Sequence, residues 1–104
     1  MIEARTTEKT AAYLARRIAR AQVEAGGSWV DAARMSCEVK DAHITILVTI
    51  SSDTLRESDV TGLRLVDTGG DICYTREVAL ARRDGDGATQ RIDISVRVEE
   101  NGDV

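Results

Sequence analysis

Apolar residues recur along this chain with two different periods. From Thr7 to Ala25 the residues Ala11, Leu14, Ala15, Ile18, Ala21 and Ala25 are spaced by three and four. That spacing puts them on one stripe of a helix. Thr6 or Thr7 suits the N-cap, Glu8 the positive helix start, and Gly26-Gly27 the stop. Because the stripe is rich in alanine, the helix can lie close against a sheet.

The remaining apolar pattern has period two. Val60 to Ala81 carries the strongest signal: two alternating runs flank Gly69-Gly70, which predicts a β-hairpin. Leu63 and Leu65 share a face on the first arm, and Ile72, Tyr74, Val78 and Leu80 share one on the second. Met35–Val39 and Ala42–Ile50 form another hairpin turning at Lys40-Asp41. In its long arm Ile44, Ile46, Val48 and Ile50 face one way. Leu47 interrupts the polar face, which predicts a central strand covered on both sides. After a turn at Arg83-Asp84-Gly85-Asp86-Gly87, the run from Thr89 to Val98 alternates with Ile92, Ile94, Val96 and Val98 inward. Ser28–Arg34, with one short helical turn at Val30–Ala33, and Ser51–Asp59 read as connections, and Glu99–Val104 as a frayed tail.

These elements predict one α+β domain over residues 1–104. Its N-terminal helix packs, through Leu14 and Ile18, on a mostly antiparallel sheet of about five strands joined by hairpins. A β-sandwich with an attached helix is the alternative.

Composition narrows the chemistry. The core must be built from Ile, Val, Leu and Ala, because the chain has no Phe, one Trp and two Tyr. A formal net charge of −4 argues against a nucleic-acid partner, which needs concentrated positive charge. Lys9, Arg16, Arg17 and Arg20 cluster on one helix face, but Glu8 and Glu24 dilute them, so this is read as a solvated face. Cys37 and Cys73 form no C-x-x-C pair and are expected to be free, buried thiols. The first residues lack the apolar segment of a signal peptide, and no run approaches the roughly 18 apolar residues of a membrane span. A cytoplasmic chain without membrane contact is the expectation.

Few residues have the grouping that catalysis requires. Asp84-Gly85-Asp86-Gly87 resembles a fragment of a calcium loop. Counting from Asp84, however, Ser95 stands where the closing Glu belongs, and the flanks read as strands. Cys37, His43 and Cys73 lack the paired spacing of zinc ligands. No catalytic residue, metal or cofactor is expected. Four residues mark a pocket or a binding surface, should the chain have one: Trp29, His43, Asp67 and Tyr74. Trp29 is otherwise read as a plug at the end of the core, and His43 as a structural residue at a strand end.

The run Val60-Thr61-Gly62-Leu63-Arg64-Leu65-Val66-Asp67-Thr68-Gly69-Gly70-Asp71-Ile72 resembles a motif of bacteriophage tail-fibre and baseplate-associated proteins. With the neighbouring strands the resemblance spans residues 43–98, departing at Arg64, where that family usually has Gly. It implies a non-enzymatic structural or protein-interaction module, virion-associated if phage-encoded, and carries over no catalytic residue. The alternative is a cone-shaped ligand pocket similar to the nuclear-transport-factor-2 fold, with His43, Asp67 or Tyr74 as acid, base or orienting group. That fold has three helices, whereas the pattern here predicts one. Because one helix cannot cover a five-stranded sheet, a homo-oligomer joined by sheet faces or edge strands is expected.

Overall fold

A computed structural model describes residues 4–95, with side chains from Ala11 onward. The expected roles of Glu8 and Lys9, the positions Val96 and Val98 and the tail Glu99–Val104 lie outside the described side chains. The elements run α1 (Ala4–Arg17), β1 (Ile18–Ala25), β2 (Ser28–Asp31), β3 (Arg34–Lys40), β4 (His43–Ile50), α2 (Ser52–Glu57), β5 (Val60–Asp67), β6 (Ile72–Leu80) and β7 (Ala88–Ser95). The chain is α+β and every strand pairing is antiparallel. The strands form two sheets, of order β2-β1-β5-β6 and β3-β4-β7, in place of the single sheet of about five strands.

The second sheet comes from residues expected to be helical. The helix begins at Ala4, upstream of the expected Thr6 or Thr7 cap, and ends at Arg17. Its last turn carries Arg16 and Arg17, which suits the negative end of the helix dipole. The Arg17 carbonyl accepts a bond from Thr68 N at 2.8 Å. From Ile18 the backbone is extended. A helix would leave Val23 on its polar face, whereas a strand turns Ala21 and Val23 inward together, opposite Leu65 and Leu63. Burial of Val23 at 1% exposure outweighs the helix propensity of Ala and Arg. Gly26 and Gly27, at φ 61° and 82°, form a hairpin turn between β1 and β2 rather than a helix stop.

The chain changes sheets at Ala32-Ala33. Ala32 N donates to Ala21 O in the first sheet and Ala33 N to Thr49 O in the second, each at 2.9 Å. Strand β2 thus leads directly into β3 where a short helical turn was expected. The two apolar faces meet in one core of Val23, Leu63 and Leu65 with Ile44, Ile46, Val48, Ile50 and Ile92. Fully burying each such side chain stabilises the fold by about 1.5–3 kcal/mol. Helix α1 packs against β3 and β4, through the fully buried Ala11. Leu14 is 41% exposed, and Ile18 packs against the core from β1 rather than from the helix, so the two do not form the expected helix contact.

The stretch Ser51–Asp59 is not a plain connection. Ser51 Oγ accepts from Thr54 N at 3.1 Å and caps α2, whose Leu55 is buried. Gly87 allows the β6–β7 connection to pass this corner, since a Cβ there would run into the Ile50 carbonyl oxygen. Strand β4 is central in its sheet, but its outer face is open and Leu47 is 40% exposed, against the expectation of cover on both sides. A register shift between Leu65 and Val66 displaces Ile72 from the face shared by Tyr74, Val78 and Leu80, leaving it 54% exposed. No helix among the described residues is long and apolar enough to cross a membrane.

Candidate functional site

The fold distributes the four expected site residues over three surfaces. His43 sits at the start of β4 on the outer face of its sheet, with Nδ1 3.1 Å from Ser95 Oγ. Trp29 lies on the outer face of the other sheet instead of plugging the core. Arg64 stacks over its ring, 4.3 Å from the centroid, and Arg64 Nε donates to Gln22 Oε1 at 2.8 Å. Only Asp67 and Tyr74 come together, in a cleft of about 290 Å³ where α1 ends beside β5, β6 and β7. Leu14, Ile18, Leu65 and Ile94 form its apolar wall, and Arg17 and Cys73 complete its polar side.

The polar groups of this cleft are already engaged. Asp67 Oδ1 accepts from Gly69 N at 2.8 Å and Asp71 N at 3.0 Å, holding the β5–β6 turn. Arg17 Nη1 donates to Tyr13 Oη at 3.1 Å, and that bond raises the Arg17 pKa. Cys73 Sγ donates to Leu65 O at 3.5 Å. Partial burial, and then the negative charge of Asp67, push the Cys73 thiol up from its ordinary value. A thiol shifted upward is less ionised at neutral pH and is a weaker nucleophile. Cys37, on the edge strand β3, is raised by burial as well. Both cysteines are free, as expected, but exposed rather than buried, because β3 and β6 are edge strands with cover on one side only. Among the described residues no three His, Cys, Asp or Glu side chains gather as metal ligands.

The free edges β6 and β7 form the other distinctive surface, and sequence reasoning did not assign them. Neither strand has a partner on its far side among the described residues. The backbone orientation of β7 follows from two bonds. Thr49 O accepts from Ala33 N on the β3 side of β4. The alternate residues Ile44, Ile46 and Val48 therefore bond toward β7, to Ile94, Ile92 and Gln90. Arg91, Asp93 and their alternates consequently direct both N–H and C=O away from β4. Arg76 Nη2 confirms that direction, reaching from β6 to donate to Arg91 O at 3.2 Å. Below this contact Leu55, Leu80 and Ala88 line a cleft of about 200 Å³ between the two strands.

The outer face of β7 carries Thr89, Arg91, Asp93 and Ser95, all exposed. Arg91 Nε bonds both Asp93 oxygens, at 3.0 and 3.1 Å, and Thr45 Oγ1 donates to Asp93 Oδ1 at 3.3 Å. The run Val60–Ile72 that resembles the phage tail motif forms β5, its turn and the first residue of β6. Comparison with known protein families, with curated proteins and with solved structures found no match.

Proposed function

We propose that this chain is a non-enzymatic structural module that assembles with copies of itself by backbone pairing at an open sheet edge. The observation that carries the reading is the edge of β7, eight residues long, with outward N–H and C=O groups and no strand beside it among the described residues. An exposed edge templates pairing with another chain unless it is blunted by proline, charged side chains or a bulge. The chain has no proline, the β4–β7 register runs without a shift, and the two charges of β7, Arg91 and Asp93, are opposite in sign and so able to pair across an edge.

The apolar inner faces, which motivated the expectation of a sheet-face interface, are engaged within the chain. The inner faces cover one another within one chain, leaving Ile44, Ile46 and Val48 at 0–1% exposure. Edge pairing is the route that the open β7 backbone supports. The phage-type assembly role, and with it a virion-associated setting, draws its support from the sequence resemblance.

Sedimentation velocity from low to high micromolar concentration tests the proposal. A weight-average mass rising above the 11.3 kDa monomer is expected. A single 11.3 kDa species throughout contradicts it.

A second reading is favoured by the cleft beside Tyr74: a binding site for a small apolar ligand. The helices described are α1 and α2, of 14 and 6 residues, so the resemblance to a three-helix cone does not support it.

A further inference from the structure

We infer that the partner at β7 is the β7 strand of a second copy, in antiparallel register about a two-fold axis through Ile92. This deepens, and rests on, the self-association proposed above. In this register Arg91 lies opposite Asp93 of the second copy, and Asp93 opposite its Arg91. Thr89 lies opposite Ser95, and Ile92 meets Ile92. The ladder phase agrees with these pairs. The residues that direct N–H and C=O outward are Arg91, Asp93 and their alternates, so Arg91 and Asp93 of opposite copies exchange both backbone bonds. Ile92 forms the non-hydrogen-bonded pair on the axis. A two-fold axis normal to the sheet keeps the faces aligned, with charged residues outside and Ile92 and Ile94 inside.

Charge selects this register over its neighbours. Centring the axis on Arg91 sets arginine against arginine, and centring it on Asp93 sets aspartate against aspartate. Like charges directly opposite one another destabilise a strand pair, and opposite charges stabilise it. The cross-strand pairs form at the expense of local ones. Arg91 gives up its bond to Asp93 of its own strand, an exposed ion pair with little to lose. Arg76 releases the Arg91 carbonyl, which a ladder N–H then occupies. Pairing joins the two three-stranded sheets into one, of order β3-β4-β7-β7-β4-β3.

The test is a charge swap read by sedimentation equilibrium, with the fold checked by circular dichroism. Arg91→Asp alone and Asp93→Arg alone each create like-charged pairs and weaken the dimer by about tenfold. The double variant Arg91→Asp/Asp93→Arg restores opposite charges and returns the dissociation constant to within about threefold of the parent. Self-association unaffected by either single change, or not restored by the double, overturns the β7 register while leaving self-association standing. A parent chain that stays monomeric overturns both. All three variants change exposed side chains, so each should melt close to the parent.

Discussion

Trp29 lies directly over Gly62, so closely that a Cβ on Gly62 would stand 2.8 Å from Trp29 Cη2. A glycine in a strand weakens it locally, and an aromatic ring from the neighbouring strands can cover the gap. Here the ring belongs to β2, the backbone beneath it to β5, and the Arg64 guanidinium stacks over the ring. Gly62→Ala forces a rigid ring aside and crowds Glu24 Cβ at 3.2 Å. We expect it to cost about 1–3 kcal/mol in urea melts and to shift Trp29 fluorescence. Unchanged stability with an unchanged spectrum would mean that the ring does not rest there.

Asp67 serves the turn after β5. Its Oδ1 satisfies two backbone N–H groups, so Asp67→Ala should cost about 1–3 kcal/mol. Asp67→Asn keeps an acceptor oxygen and should recover most of that loss. Thermal melts of the two variants decide the matter. Equal losses would show that charge, not the turn bonds, sets the role of Asp67.

The core and the helix stripe separate energetically. Leu63 is fully buried at the junction of the two sheets, and Leu63→Ala should cost about 2–5 kcal/mol. Leu14, at 41% exposure, should lose less than about 1 kcal/mol on truncation to Ala. Comparable losses in denaturant melts would place Leu14 in a packed contact that the fold does not show.

Both thiols are reachable but not activated. Their raised pKa values lower the thiolate fraction at neutral pH, because the charged form is disfavoured. The native protein should therefore react at both Cys37 and Cys73 with a soluble alkylating reagent, each more slowly at pH 7.5 than an unperturbed thiol. The rate should keep rising above the ordinary thiol pKa. Mass spectrometry of timed quenches follows each site. A rate at or above that of a free thiol would contradict the raised values.

The β-rich half of this fold was legible in the sequence, because strict alternation leaves no second reading. Ile44 to Ile50, the hairpin around Gly69-Gly70 and the strand through Ile92 fall where the pattern placed them. Ile18 to Ala25 was not legible. Ala and Arg favour helix locally, and Ala21 and Ala25 fit the helical stripe. Tertiary burial of Val23 against Leu63 decided otherwise. Val23 was the available signal, as the one large aliphatic residue stranded on the polar side of that helix. Helix α2 hid in a polar segment whose only apolar anchor is Leu55, although Ser51 announced its cap. Of the candidate site residues, Asp67 and Tyr74 meet because they flank one hairpin. The edge of β7 was invisible, since no sequence pattern states which strand lacks a neighbour.

Amide hydrogen exchange by NMR, followed as concentration is raised, tests the edge-pairing account most directly. Ile92 and Ile94 bond toward β4 and should be protected at every concentration. Arg91 and Asp93 direct their N–H groups away from β4 and should exchange fast when dilute. The account predicts that both become protected as the chain associates, in step with the mass seen by sedimentation. Fast exchange at Arg91 and Asp93 in the fully associated protein would contradict it.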